Sequence, residues 1–134
     1  MKDILIIVST FSRRDLTGIT LNSLRRCKSQ ASGVLILDDN SHMYGLDWLG
    51  RWGWPVERRE VNVGVGRAAL ARYTRFLESP EHYRYLCAVD NDLLFGAQFD
   101  CRLRQLWEVT RRDDTLTVAT GYRSVTQKIL VDLS

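Results

Sequence analysis

The sequence of 134 residues has the length of one domain, and 45% of the residues are hydrophobic while 26% are charged. These proportions are ordinary for a folded globular protein and exclude an intrinsically disordered chain. No apolar run approaches the roughly 20 residues that a membrane-spanning helix needs, and the run at residues 4–8 is too short for the core of a signal peptide. We therefore expect no membrane span and a location in the cytoplasm.

The charge and the cysteines make further classes of protein less favoured. The formal net charge is only +3, and the four arginine pairs are dispersed along the chain. Because nucleic-acid-binding proteins commonly concentrate basic residues on one element, we expect no nucleic-acid partner. Cys27, Cys87 and Cys101 show no paired spacing, which favours reduced thiols over disulfide bonds or a zinc site.

Strands are predicted where short apolar runs lie between polar residues. Such runs predict buried strands at residues 4–8, 34–37 and 85–89. Shorter or weaker patterns predict strands within residues 55–61, 116–119 and 129–133.

Helices are predicted between these strands from apolar residues at helical spacing. The first begins at residues 12–15, the second opens at Gly64, and a short helix is possible in the loop that contains Trp48, Trp52 and Trp54. The predicted buried stripes are Leu16, Ile19, Leu24 and Cys27 on the first helix; Val65, Ala69, Tyr73, Phe76 and Leu77 on the second; and Phe99, Leu103, Leu106, Trp107 and Thr110 on a later one.

The alternation of strands and helices predicts an α/β fold: a single domain over residues 1–134, with a mostly parallel, Rossmann-like sheet and helices on both faces. Ligands bind such sheets at the carboxyl ends of the strands. Two predicted strands end there in carboxylate clusters, one at Asp38 and Asp39 and the other at Asp90 and Asp92.

The triplet of Asp90, Asn91 and Asp92 allows two interpretations. Two carboxylates one residue apart could hold Mg²⁺ or Mn²⁺, which commonly bridge one or two carboxylates to phosphates. The same residue types also favour a simple turn through local hydrogen bonds. The residues alone do not decide between a metal site and a turn.

Two other segments also allow both a structural and a functional interpretation. Asp38 and Asp39 could cap a following helix, or one of them could accept hydrogen bonds from a ligand. The segment from Gly64 to Ala69 matches G-x-G-x-x-A, but the first strand is followed by a turn without glycine, so a dinucleotide site is disfavoured. A helix that begins here with Arg67 in its first turn could still contact phosphate.

Four of these segments, in this order, resemble the nucleotide-binding half of a family 2 glycosyltransferase with the GT-A fold. The turn after the first strand is similar to the segment beside the base in that family, which implies contacts from Thr10, Phe11 and Arg13. Asp38 and Asp39 resemble the second-strand motif, whose second Asp typically binds uracil.

The other two segments extend the resemblance. Gly64 and Arg67 match the stretch that opens the next helix, where an Arg often reaches the base or ribose. Asp90, Asn91 and Asp92 resemble the D-x-D motif. There the first Asp usually faces the ribose, and the last holds the metal on the diphosphate. Residues 121–123 match the following strand only loosely.

The resemblance implies a metal-dependent glycosyltransferase of the D-x-D type that moves a sugar from a nucleotide-sugar donor, most simply a UDP-sugar, to a hydroxyl acceptor such as a saccharide. Asp90 and Asp92 are then the expected catalytic and metal-binding residues, with Mn²⁺ or Mg²⁺ as cofactor. Donor-binding residues would be Thr10, Phe11, Arg13, Asp38, Asp39, Gly64, Arg67, Asp90 and Asn91.

The sequence also departs from the family. Members are usually much longer, and neither a catalytic carboxylate for inverting chemistry nor a His ligand has an obvious counterpart here. The chain could be a minimal enzyme, or a homo-oligomer that builds its acceptor site between subunits. The alternatives are a nucleotide-sugar-binding module without turnover, a nucleotidyltransferase and an arginine-rich nucleic-acid-binding protein.

Overall fold

A computed structural model of the chain describes residues 2–79 and 83–110. The described strands are β1 (Ile4–Thr10), β2 (Ser32–Asp38), β3 (Val56–Arg58) and β4 (Tyr85–Val89). The helices are α1 (Arg14–Cys27), α2 (Leu46–Leu49, continued by a 3₁₀ turn over Gly50–Trp52), α3 (Val65–Leu77) and α4 (Phe99–Thr110). None of the helices within these ranges is long and apolar enough to cross a membrane.

The four described strands form one parallel sheet in the order β3-β2-β1-β4. In its register, Thr10 at the end of β1 lies opposite Asp38, and Asp38 lies opposite Arg58. Val8 of β1 lies opposite Val89, the last residue of β4. The carboxyl ends of the strands therefore meet at one edge, as the α/β prediction required.

Both faces of the sheet carry helices, which confirms the predicted arrangement. On one face, Ile6 and Ile36 pack with Leu21 and Leu24 of α1 and with Leu49 of α2. The opposite face is a smaller cluster of Leu5, Ile7 and Leu35, against which Phe76 of α3 packs. Alternate residues of each central strand face opposite sides of a sheet, so one apolar run supplies both cores.

The strand predictions differ from the structure mainly at the ends. β1 and β2 extend beyond the predicted residues 4–8 and 34–37. β4 has its predicted bounds but is only partly buried, with Ala88 exposed, because it is an edge strand of the described sheet. The predicted strands at 116–119 and 129–133, and the loose match at residues 121–123, lie outside the described residues.

The predicted stripe of α1 was wrong for Leu16 and Ile19, which are 46% and 52% exposed. The buried residues are instead Thr17, Thr20, Leu21, Ser23 and Leu24. Thr20 Oγ1 accepts a hydrogen bond from the Leu93 amide at 3.0 Å, and Ser23 Oγ accepts one from the Phe95 amide at 2.9 Å. The hydroxyl face of the helix is buried because a later segment of the chain uses it to satisfy its backbone.

The predicted stripe of α3 was wrong for Val65, Tyr73 and Leu77, which are 88%, 53% and 81% exposed. Phe76 does pack against the sheet, as predicted, and Ala69 is half-buried. Apolar residues on an amphipathic helix do not all face the core, and here the inner face is narrow. By contrast, the predicted residues Phe99, Leu103, Leu106 and Trp107 of α4 are all half-buried.

Asp100 joins the start of α4 to the amino end of β2, at the opposite end of the strand from Asp38. Its carboxylate is buried and accepts hydrogen bonds from the Ser29 amide (3.0 and 3.1 Å), the Ser29 hydroxyl (2.8 Å), the Ser32 hydroxyl and the Cys101 amide (3.0 Å). Burial by itself would raise the pKa of this carboxyl group, but the hydrogen bonds outweigh it and lower the pKa below the ordinary value.

We expect Asp100→Asn to lower the free energy of unfolding at neutral pH by about 1.5–3 kcal/mol, the range for hydrogen bonds to a charged group. Since the folded-state pKa is lowered, the carboxylate stabilises the fold above about pH 4, the pKa of an unfolded Asp, and this contribution is lost as the pH falls through the folded value. Urea unfolding at several pH values measures the difference, with the exposed Asp47→Asn as control. A constant difference between wild type and Asp100→Asn down to the lowest pH would contradict this role.

Candidate functional site

The turn between β1 and α1 has a strained backbone at the carboxyl edge of the sheet. Ser12 and Arg13 adopt consecutive left-handed conformations with φ of 53° and 52°, which are uncommon for residues other than glycine. The helix consequently begins at Arg14, without the side-chain cap expected from residues 12–15. Tyr44 and Thr17 hold the turn by donating to the Ser12 carbonyl at 2.9 and 3.1 Å.

Asp38 is a buried support of this edge. Its carboxylate accepts hydrogen bonds from the Thr10 hydroxyl at 2.6 Å and from the Ser41 amide and hydroxyl at 2.9 and 2.7 Å. Arg58 Nε lies 3.3 Å from the same carboxylate. With 1% of the residue exposed, Asp38 ties β1, β2 and β3 together at their ends.

Asp39 holds the loop that leads into α3. One carboxylate oxygen accepts from the Val63 amide at 3.0 Å, and the other accepts from the Gly64 amide at 3.1 Å. Asn62 supports the contact by donating from Nδ2 to the Asp39 carbonyl at 3.1 Å. The guanidinium of Arg59 lies farther away, at 3.9 Å from the carboxylate.

The acidic pair, Asp90 and Asp92, follows the end of β4. Arg72 Nη1 lies 3.1 Å from Asp90 Oδ1, and Arg13 Nη1 lies 3.1 Å from Asp92 Oδ2. The two carboxylate side chains are 48% and 36% exposed, so both are open to solvent. Each carboxylate thus meets an arginine from a different element while remaining accessible to a ligand.

Asn91 lies between the two acids but turns its side chain inward. Its Nδ2 donates to Thr17 Oγ1 at 2.8 Å and lies 3.3 Å from the carbonyl oxygens of Phe11 and Ser12. This amide therefore fastens the acidic pair to the strained turn after β1. Asn91 is one of the residues predicted to bind the donor, and its side-chain amide makes these contacts within the protein.

The segment after the acidic pair runs along α1, a feature that the sequence analysis missed. Beyond the contacts to Thr20 and Ser23, the Gln98 amide donates to the Cys27 carbonyl at 2.6 Å. The hydroxyl residues at 17, 20 and 23 recur every three positions, and this spacing was the available signal for a polar helix face that binds another segment.

Gly64 and Arg67 lie at the start of α3. Gly64 has a φ of 83°, a conformation that glycine adopts without strain, and this bends the chain from the Asp39 contact into the helix. Arg67 is exposed and lines a groove of about 510 Å³ between α3 and β3, together with Arg59 and Leu70. Glu57 and Glu78 line the same groove, so its lining combines basic and acidic side chains.

The described chain contains no group of three or more His, Cys, Asp or Glu residues that could hold a metal ion. The acidic pair can nevertheless offer oxygen ligands to a hard cation, because both carboxylates are exposed and only one oxygen of each is paired with an arginine. Mg²⁺ and similar ions are commonly held by one or two carboxylates together with the phosphates of a substrate. Asp90 and Asp92 could therefore share a cation with a bound diphosphate.

Cys87 does not contribute chemistry to this site. It lies on β4 among residues that pack against the larger core cluster, and burial raises the pKa of its thiol to about 12. Because the thiolate is the reactive form, this cysteine is a poor nucleophile. Cys87 is therefore a structural residue of β4.

Searches against protein families and curated proteins return no match for the sequence. Solved structures do match. TarS of S. aureus superposes with a TM-score of 0.71 at 17% identity, over 96% of this chain and 23% of that chain. The structure of TarS residues 1–349 in complex with UDP gives a TM-score of 0.66 at 18% identity, over 95% of this chain and 38% of that chain.

A mannosyltransferase from Pyrobaculum calidifontis, in complex with GDP-Man and Mn²⁺, gives a TM-score of 0.64 at 17% identity, over 89% of this chain and 36% of that chain. The chain therefore spans less than two fifths of the length of these structures. At such low identities the likeness establishes the fold. The chain has the GT-A fold that the resemblance implied.

Proposed function

We propose that the chain binds a nucleotide-sugar, with a UDP-sugar as the expected donor, across the carboxyl ends of β1, β2 and β4. The observation that supports this most is the convergence of the donor-binding candidates at one edge. Asp39 is joined to Gly64, and Asn91 is joined to the turn that holds Phe11. Structures of the same fold have been solved in complex with UDP, UDP-GlcNAc or GDP-Man.

In this proposal each end of the site takes a different part of the donor. The base lies at the Asp39 end, near Thr10 and Phe11, where carboxylate lone pairs beyond those used by the two amides can accept an N–H. Arg67 lies in the first turn of α3, close in the chain to the Gly64 amide that Asp39 binds. The diphosphate lies at the acidic pair, with Arg13 beside it.

A divalent cation at Asp90 and Asp92, Mn²⁺ or Mg²⁺, would supply Lewis-acid stabilisation of the leaving nucleoside diphosphate. Arg13 is suited to the same charge because a guanidinium binds phosphate oxygens through paired N–H donors. Its side chain is 60% exposed, so it can exchange Asp92 for a phosphate at small energetic cost. The expected reaction is transfer of the sugar to a hydroxyl acceptor.

A binding module without turnover is the second candidate, and one observation favours it. Between Asp92 and the last described residue, the only carboxylates are Asp100 and Glu108. Asp100 is buried in its own hydrogen bonds, and Glu108 accepts from Tyr85 at the amino end of β4. Neither lies at the carboxyl edge, so the described residues after Asp92 place no general base beside the donor.

We expect UDP to bind in the presence of Mn²⁺ and to stabilise the fold by about 2.7 kcal/mol at a concentration of 100 times Kd. Calorimetry and thermal melts with UDP, UDP-GlcNAc and GDP, with Mn²⁺ or with a chelator, measure this. Failure of UDP to bind in Mn²⁺, or equal affinity after chelation, would contradict the proposal. Release of UDP from UDP-GlcNAc in the presence of saccharide acceptors then separates an enzyme from a binding module.

The arginine-rich nucleic-acid alternative has its own signature. Binding to DNA or RNA would fall steeply as salt rises because phosphate contacts release counterions. Titration of both nucleic acids and UDP across a range of salt concentrations therefore separates this alternative from a chelation-sensitive nucleotide site.

A further inference from the structure

Arg72 is an unexpected residue on the inner face of α3. Its side chain is only 13% exposed, and it shares a helix face with the half-buried Ala69 and Phe76, of which Phe76 packs on the apolar cluster of the sheet. Burying a guanidinium is unfavourable unless its partners compensate for the lost water. The partners of Arg72 therefore indicate what the residue does.

Those partners lie at the end of β4, where the acidic pair begins. Arg72 Nη1 donates to the Val89 carbonyl at 3.0 Å and to Asp90 Oδ1 at 3.1 Å. Its Nε is buried without a hydrogen-bond partner among the described residues, so these two bonds orient the guanidinium. One side chain thus fixes both the last carbonyl of the strand and the first carboxylate of the pair.

The contrast with Asp92 shows that the two carboxylates are held differently. Arg13, the partner of Asp92, is 60% exposed and makes one contact with it, whereas Arg72 is largely buried and makes two contacts at the strand end. Buried charged hydrogen bonds are stronger and less screened than exposed ones. The Asp90 side chain is itself 48% exposed, but its arginine partner is the better shielded of the two, so Asp90 is the more firmly held member of the pair.

The helix that carries Arg72 is itself anchored in the site. Asp39 holds the start of α3 through the amides of Val63 and Gly64, and Arg72 follows two turns later. The helix that Asp39 holds at its start therefore also positions Asp90, through Arg72. The base end and the diphosphate end of the proposed site share one rigid element.

We propose that Arg72 is a positioning residue that fixes the Asp90 carboxylate and the end of β4, so that the acidic pair is preorganised for the cation-bound diphosphate. This inference rests on the proposed function for its ligand. Residues that orient a metal-binding side chain without touching the metal ion typically change metal affinity by 10–100-fold when they are removed.

The test compares Arg72→Met with Arg75→Met, the same substitution one turn along α3, where Arg75 pairs with Glu57 outside the acidic pair. We expect Arg72→Met to weaken Mn²⁺-dependent UDP binding by at least tenfold, Arg72→Lys to restore part of the loss, and Arg75→Met to bind as wild type does. Calorimetry gives the Kd, and melts without ligand report stability separately. If Arg72→Met does not fold, Arg72→Gln takes its place.

A readout without nucleotide keeps this inference separate from the proposed function. In amide NMR spectra of the ligand-free protein, Arg72→Met should shift the signals of Asp90 and Asn91, and Arg75→Met should leave them in place. Unshifted signals, or wild-type UDP affinity in a folded Arg72 variant, would overturn the role of Arg72. If wild type itself binds no UDP in Mn²⁺, the proposed function fails, and the amide spectra alone decide whether Arg72 positions Asp90.

Discussion

Asp92→Ala is expected to abolish the Mn²⁺-dependent binding of UDP-sugar while leaving the fold intact. The carboxylate side chain is 36% exposed, and its partner Arg13 is 60% exposed. An exposed ion pair of this kind contributes about 0–1 kcal/mol, and removing one of two neighbouring acids also relieves their repulsion. The stability of the ligand-free protein should therefore change little, whereas the proposed cation loses a ligand.

Thermal melts and calorimetry on wild type and Asp92→Ala, with and without Mn²⁺ and UDP, measure both effects. The matched control is Glu57→Ala, which also removes a half-exposed carboxylate paired with an arginine but lies away from the acidic pair. A capping role for Asp92 would give the reverse pattern, with about 0.5–2 kcal/mol of lost stability and unchanged nucleotide affinity. A wild-type thermal shift from Mn²⁺ plus UDP in Asp92→Ala would remove the D-x-D assignment.

The frame of the site was predictable because local patterns determine it. The apolar runs at residues 4–8 and 34–37 are typical of strands that are buried on both faces, and both became the central strands β1 and β2. Carboxylates that follow such runs must lie at the strand ends. For that reason the positions of Asp38, Asp39 and the acidic pair followed from the order of residues alone.

The contacts that shape the site were not predictable, since their partners are distant in the chain. Leu93 binds Thr20, which is 73 residues away, so nothing near α1 in the sequence shows why its hydroxyl face is buried. The same holds for Asp39, whose partners Val63 and Gly64 are 24 and 25 residues away. Periodicity identifies which residues could share a helix face, and only the tertiary structure decides which face is buried.

Arg72 shows a further limit of sequence patterns. On a helix with Leu70, Tyr73 and Leu77, an arginine would be assigned to the solvent side. In the structure these three apolar residues are 64%, 53% and 81% exposed, and Arg72 lies underneath. An acceptor at the end of β4 explains the inversion, because burial of the guanidinium requires the Val89 carbonyl and the Asp90 carboxylate.

Asp39→Asn is expected to weaken UDP binding and also to lower stability, since the carboxylate already serves the fold. Each of its oxygens accepts one backbone amide, from Val63 or from Gly64. An asparagine would present an amide donor to one of these donors and leave a buried group unpaired, at a cost of about 1–3 kcal/mol. With the residue only 5% exposed, solvent cannot easily replace the lost bond.

The uracil contact can be isolated from this structural loss by changing the ligand. If Asp39 also accepts the uracil N3–H, wild type should bind UDP at least tenfold more tightly than its N3-methyl analogue in Mn²⁺, a difference of about 1.4 kcal/mol. Asp39→Asn should lose most of that discrimination. Asn62→Ala, which removes the bond to the Asp39 carbonyl and loosens the same loop without touching the carboxylate, should retain it. Equal discrimination in Asp39→Asn and Asn62→Ala would show that Asp39 only supports the start of α3, and the base would then have to be read by other residues of the edge.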